Sequence, residues 1–141
     1  MGAKLKGSDE FKRAMRKAID NAIPDAKKVV GRGALNVKRG AQRIIKADSH
    51  YGYLPHYPRS ISYEVIGLST SVRARIGPLA EKLQGGLGSL LENGSVNNAP
   101  IPHLAPALEL EVPEFLSYME KLGQQLLEGL PVEGTVVDPG D

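Results

Sequence analysis

The feature that most constrains this chain is a helical pattern of apolar residues that runs from residue 8 to residue 47. Apolar side chains recur there at steps of three and four, the spacing of one face of an α-helix. They are Phe11, Met15, Ala18, Ile19, Ala22, Ala26, Val29, Val30, Gly33, Ala34, Val37, Ala41, Ile44 and Ile45. The pattern predicts a long N-terminal helix in a chain of only 141 residues.

The same segment contains a helix start signal, an expected interruption and a charged face. Ser8 suits the N-cap, and Asp9 and Glu10 suit the positive end of the helix dipole. Pro24 lacks the N–H that the helix needs, so we expect the helix to break or kink near it. The face opposite the apolar one is basic, with Lys27, Lys28, Arg32, Lys38, Arg39, Arg43 and Lys46.

A β-hairpin is predicted after the helix. Residues 60–65 and 71–76 alternate polar and apolar side chains, as half-buried strands do, and the connection from Gly67 to Thr70 is short enough for a hairpin. In the second strand Val72, Ala74 and Ile76 should face the core. The predicted fold class is therefore α+β, with helices packed on a small antiparallel sheet.

The second half of the chain is punctuated by glycine and proline. Glycine-rich residues 77–89 read as a connector, and residues 90–108 read as an extended, proline-rich loop. Pro113 suits the first turn of an amphipathic C-terminal helix that ends near residue 130. We expect one domain over residues 1–130 and a disordered tail over residues 131–141.

Charge is divided unevenly along the chain. Residues 1–50 hold 13 Lys or Arg against 5 Asp or Glu, and residues 51–141 hold 5 against 11, so the halves carry net charges of +8 and −6. This asymmetry favours either nucleic-acid binding or electrostatic contact between copies. A solvated helix face explains the basic residues equally well.

Groups suited to catalysis are few. The chain has no cysteine, which excludes thiol nucleophiles, disulfides and thiolate metal sites. His50 and His56 with Asp48 do not match a known metal-ligand spacing, and Glu109, Glu111 and Glu114 suit a helix start for structural reasons alone. We expect no enzymatic activity, no cofactor and no metal. The sequence shows no apolar signal segment and no membrane span, so we expect the protein to be cytoplasmic where it is made.

Two short motifs in the proline-rich region resemble those of a known family. The first is Leu91-Glu92-Asn93-Gly94-Ser95, and the second is Pro102-His103-Leu104-Ala105-Pro106-Ala107-Leu108. With the element order of helix, hairpin and final helix, they resemble the small head-to-tail joining proteins of long-tailed bacteriophages. Asn93 and His103 stand where that family usually has aromatic residues.

The resemblance implies a structural protein of the phage neck, located in the virion and assembled in the host cytoplasm. Its subunits would form a ring, with six-fold symmetry favoured over twelve-fold, between the connector or stopper and the tail-tube proteins. The implied interface residues are Glu92, Gly94, Pro102, Leu104, Pro106 and Leu108. Lys38, Arg39, Arg43 and Lys46 would face neighbouring subunits or genomic DNA passing through without sequence recognition. The alternative is a non-enzymatic DNA-binding protein that uses the basic helix over residues 26–47.

Overall fold

The computed structural model describes the backbone of residues 2–129 and the side chains of residues 8–129. The α+β class is confirmed, with a long N-terminal helix, a C-terminal helix and a two-stranded antiparallel sheet. The predicted tail, residues 131–141, lies outside the described residues. The elements are helix α1 (Gly2–Ala47), a 3-10 turn (Tyr51–Tyr53), helix α2 (Tyr57–Ser60), strands β1 (Ile61–Gly67) and β2 (Val72–Pro78), a second 3-10 turn (Gly85–Leu87), helix α3 (Gly88–Asn93) and helix α4 (Leu104–Glu128).

Helix α1 runs through Pro24 without a break, so the expected break near this residue is wrong. A proline inside a helix removes one backbone hydrogen bond to the carbonyl four residues earlier, here that of Asp20. Both Pro24 and Asp20 are exposed. Water can therefore reach the carbonyl that loses its partner, and the helix continues because its other face is packed.

The hairpin is confirmed, with strands slightly longer than predicted. Strands β1 and β2 pair antiparallel, with Tyr63 opposite Ile76 and Val65 opposite Ala74. Val72, Ala74 and Ile76 are half-buried, whereas Arg73 and Arg75 are exposed, as the alternation of side chains requires. Leu68 N–H donates to the Ser71 carbonyl at the turn.

Helix α4 begins nine residues before the predicted start at Pro113, because Leu104 opens it and Pro113 lies inside it. Pro113 and the residue four positions earlier, Glu109, are both exposed, which repeats the situation at Pro24. The expected extended proline-rich loop is therefore not confirmed. Its first residues belong to α3, its last residues belong to α4, and residues 94–103 connect the two helices.

Helices α1 and α4 pack side by side and antiparallel. A Cβ placed on Gly40 would lie 3.2 Å from Cβ of Ala107, and one on Gly33 would lie 3.3 Å from the Phe115 ring. The Asn36 side-chain amide donates to Glu111 at 3.0 Å between these contacts. Glycines in α1 therefore allow a close helix approach, which explains part of the glycine content that weakens this helix intrinsically.

The core lies at one end of the helix pair, around the C-terminal end of α1 and the start of α4. Its buried members are Val37, Ala41, Ile45, Leu54, Tyr57, Ile61 and Ala107. Tyr57 is the largest fully buried side chain among the described residues. The segment after α1 thus closes the core instead of merely connecting the helix to the hairpin.

Candidate functional site

The two motifs that carry the family resemblance meet at the start of α4. Glu92 lies in α3, and its carboxylate accepts hydrogen bonds from the backbone N–H groups of the second motif. Oε1 accepts from His103 at 3.2 Å and from Leu104 at 2.8 Å, and Oε2 accepts from Ala105 at 3.4 Å. The first turn of a helix has N–H groups without intrahelical partners. Glu92 therefore caps α4 across a separation of 11 to 13 residues along the chain.

The environment of Glu92 has a net effect on its acidity. Burial acts to raise the pKa of the Glu92 carboxyl, but the backbone N–H groups of Leu104, His103 and Ala105 favour the charged form, and the pKa is lowered overall. The carboxylate also lies where the positive end of the α4 dipole stabilises negative charge. Glu92 is thus anionic and fixed in its role as a cap.

Gly94 closes the end of α3 in a conformation that few other residues adopt. Its φ is +76°, and an added Cβ would lie 2.9 Å from the Asn98 carbonyl oxygen and from the Pro100 ring. Ser95 and Asn98 then form a tight turn with two backbone hydrogen bonds, and Ile101 N–H donates to the Leu91 carbonyl. Residues 94–103 are therefore a compact loop that folds back on α3.

His103 is fully buried beside Tyr57. Its Nδ1 lies 2.8 Å from the Ile101 carbonyl oxygen, which can only accept, so Nδ1 carries the proton. Nε2 then accepts from the Tyr57 hydroxyl at 2.7 Å, and the rings meet edge to face with centroids 5.3 Å apart. Burial, with the Glu92 charge nearby, raises the pKa of Tyr57 to about 12. His103 is therefore a buried ring whose two nitrogens both have hydrogen-bond partners within the chain.

The other predicted interface residues divide between the core and the surface. Leu104 is half-buried and packs on the core. Pro106 is half-buried in the first turn of α4, and Pro102 is exposed. Leu108 is exposed on α4. Of the six residues, Pro102 and Leu108 therefore present the most surface to a partner, while Glu92 and Gly94 act within the chain.

Only part of the basic face of α1 is left free of contacts within the chain. The Lys38 ammonium lies 5.9 Å from the centroid of the Tyr63 ring, and the Arg32 guanidinium lies 5.6 Å from that of Tyr118, both as cation–π contacts. Arg39, Arg43 and Lys46 are exposed and lie one helical turn apart. Within residues 8–129 none of these three forms an ion pair. We call Arg39, Arg43 and Lys46 the cationic row.

A groove between β2 and α4 was not predicted from the sequence. It has a volume of about 210 Å³, with α1 as its floor at Val30, Ala34 and Val37. Ala74 and Ile76 form one wall, and Leu108, Val112 and Phe115 form the other. The sequence places apolar residues on each element separately, but only the tertiary arrangement leaves a gap between the strand and the helix.

The remaining histidines do not form a metal centre within the described part of the chain. His50 Nδ1 lies 2.8 Å from Asp48 Oδ1, and the His50 N–H groups lower the pKa of that carboxyl. Backbone N–H of His56 donates instead to Gln84. No group of three or more His, Cys, Asp or Glu side chains converges among the residues searched. Over the same residues, no helix is both long and apolar enough to cross a membrane.

Comparison with known proteins returned no match to a protein-family model, to a curated protein or to a solved structure.

Proposed function

We propose that this chain is a structural subunit of a bacteriophage neck, which forms a ring between the capsid-side connector and the tail tube. The supporting observation is that its two family-like motifs form one unit. The carboxylate of the first motif caps the helix that the second motif begins. The two motifs therefore contact each other in the fold. If the resemblance reflects a shared architecture, motifs that occur together in the family should make such a contact.

The position of His103 adds to this support. The family usually has an aromatic residue there, and the His103 ring is completely buried against Tyr57. An aromatic side chain at this position would likewise place a flat ring in the buried space against Tyr57. The departure from the family pattern thus preserves the packing role at this position.

Assembly also fits the distribution of apolar surface. Leu108, Leu110, Val112 and Leu116 of α4 are exposed, and the core is confined to one end of the helix pair. Small domains with limited cores gain stability when neighbouring copies cover such residues. The exposed row of Arg39, Arg43 and Lys46 suits DNA that passes through a ring, because phosphate contacts need no base reading.

The experiment is localisation in the virion. Phage particles made without this protein should accumulate as separate filled heads and tails, and complementation with the wild-type gene should restore joining. Cryo-electron microscopy of intact particles should place its density at the neck and give the ring symmetry. Normal joining in its absence, or density elsewhere, would contradict the proposal.

A second candidate function, DNA binding without enzymatic activity, is favoured by the same cationic row. If it holds, the purified protein should bind short duplex DNA with an affinity that falls steeply with salt. Replacing Arg39, Arg43 and Lys46 by Glu should abolish that binding and leave the circular dichroism spectrum unchanged. Replacing Lys12, Arg13 and Arg16 is the matched control, because these exposed basic residues lie at the other end of α1.

A further inference from the structure

The edge of β2 that faces the groove has backbone groups that do not pair with β1. In an antiparallel pair, every second residue directs its N–H and C=O groups toward the neighbouring strand. Leu79 N–H donates to the Ser60 carbonyl, and the register of the hairpin continues from this pair. The residues whose backbone groups point away from β1, into the groove, are Val72, Ala74 and Ile76. No other backbone group within residues 8–129 hydrogen-bonds to these three.

The groove beside this edge suits an extended segment. The side chains of Val72, Ala74 and Ile76 are half-buried toward α1, so an added strand would continue the sheet over the apolar floor of the groove. Every second side chain of that strand would point inward. An unpaired strand edge is a template for another strand, and strand addition combines main-chain hydrogen bonds with side-chain pockets.

Helix α4 returns the chain to the place where such a strand has to begin. Strand β2 runs from the hairpin tip, where Gly67 packs on Lys27, toward the core at the C-terminal end of α1. Helix α4 runs in the opposite direction and is followed by Gly129, which lies near Ala18 of α1. A segment that turns back there would enter the groove parallel to β2. Parallel strands require a long connection between them, usually a helix, and α4 provides one.

The residues after α4 are numerous enough to reach the groove. At 1.5 Å per residue, Phe115 lies about 21 Å back along α4 from Gly129, and Leu108 lies about 32 Å back. With two residues used for the reversal, an extended chain at about 3.3 Å per residue would reach the level of Phe115 near residue 137. Because β2 begins before that level, residues 135–139 are the ones that would lie alongside it.

The sequence of this segment suits a strand in the groove. Thr135, Val136 and Val137 are all β-branched, which favours a strand. Residues 130–141 contain three acidic residues and no basic one, whereas Arg73 lines the groove. If Val137 faces α1, the alternation of side chains places Asp138 on the sheet face that carries the exposed Arg73.

We propose that residues 135–139 bind in the groove of their own chain as a third strand, parallel to β2, with Val137 against α1. The occupant is this segment because α4 tethers it at the entrance of the groove, which gives it a high effective concentration there. The proposal assigns structure to a segment for which composition alone predicts disorder. It does not depend on the neck role, which the virion experiments test separately.

The first test is amide hydrogen exchange measured by NMR on the full chain. The amides of Ala74 and Ile76 should exchange slowly in the wild type, because the added strand accepts hydrogen bonds from them. Val137→Asp should raise both exchange rates at least about tenfold, since an unpaired charge cannot be placed against the apolar floor of the groove.

This test has two controls. The amides of Arg73 and Arg75 face β1 and should be equally protected in the wild type and in Val137→Asp. Val132→Asp changes the same type of residue before the groove and should leave Ala74 and Ile76 protected. Fast exchange of Ala74 and Ile76 in the wild type, or equal effects of the two Asp variants, would overturn the proposal.

The second test uses the absence of cysteine from the chain. Val112 lines the groove, while Leu110 is 79% exposed on another side of α4. In a chain with Val112→Cys and Val137→Cys, a short bismaleimide should join the two thiols within one monomer. The matched pair of Leu110→Cys and Val137→Cys should not be joined. Equal cross-linking of the two pairs, or cross-linking only between two copies, would overturn the proposal.

Discussion

At the scale of single residues, three polar side chains form the contacts that hold the start of α4 in place. Glu92 supplies acceptors for the first turn, His103 fills the space beneath it, and Tyr57 donates to the histidine. Tyr57 and His103 are both buried, so each depends on the other for a hydrogen-bond partner that water does not supply there. The consequence is a polar network whose role is to hold a helix terminus in place.

Replacing Glu92 by Ala should lower the free energy of unfolding by about 1–3 kcal/mol, because the first-turn N–H groups lose their acceptor. The folded-state pKa of Glu92 is lowered, so its contribution is complete above the unfolded pKa of about 4.3 and is lost as pH falls through the folded value. Urea unfolding of wild type and variant should therefore differ at neutral pH and converge in acid. Glu109→Ala, at an exposed position of α4, is the control and should change little.

Replacing Tyr57 by Phe should lower the free energy of unfolding by about 1–3 kcal/mol at neutral pH, since Nε2 of His103 would be left without its donor. The pKa of Tyr57 is raised from 10.0 to about 12. Its contribution is therefore present below pH 10 and lost as pH rises toward 12. Denaturation measured across that range should show a loss of stability in wild type that Tyr57→Phe lacks. Tyr53→Phe, at an exposed position, should retain it.

At the scale of elements, the helices are determined more by packing than by local propensity. Both α1 and α4 contain an internal proline and several residues that weaken isolated helices. Each proline, together with the residue four positions earlier, is exposed, while the opposite faces of the helices pack on each other. The close approach at Gly40 and Ala107 brings the backbones together. The helix pair is therefore the frame on which the hairpin and the capping network are placed.

This close approach predicts opposite results for two glycine substitutions. Gly40→Val should destabilise the fold by about 1–3 kcal/mol, because even a Cβ at this position lies 3.2 Å from Ala107. Gly123→Ala should stabilise it by about 0.5–1 kcal/mol, since a Cβ there meets nothing within 4 Å and alanine favours helix. Thermal and urea unfolding measure both effects. Equal destabilisation by the two variants would be inconsistent with the close contact between Gly40 and Ala107.

At the scale of the whole molecule, the fold is asymmetric along its length. The buried core occupies the end where α1, α2, the hairpin and the start of α4 converge, while the first half of α1 packs mainly on α4. Buried contacts determine how often a segment opens. The two ends of the molecule should consequently differ in local stability, although a single helix joins them.

Hydrogen exchange followed by mass spectrometry should show this difference. At low protein concentration, amides of residues 34–46 should exchange much more slowly than those of residues 9–25, because only the former adjoin the core. Uniform protection along α1 would contradict this difference in local stability between its two halves.

The sequence by itself determined the elements with strong local periodicity. The apolar steps of α1 predicted one long helix, and the alternation in β2 predicted which side of the hairpin faces inward, because both patterns follow from backbone geometry. It failed at Pro24, Pro113 and the proline-rich segment. There, local rules favour breaks and loops, and whether a helix continues depends on what packs against it.

Only the tertiary structure decided the nature of the candidate site. The Glu92 cap joins residues that are separated along the chain, Tyr57 is buried in contact with His103, and the groove exists because β2 and α4 lie apart on α1. Local sequence patterns do not encode such contacts, because the contacts form only when separate elements pack on the same core. The sequence thus determined what each segment can form, and packing decided which residues meet.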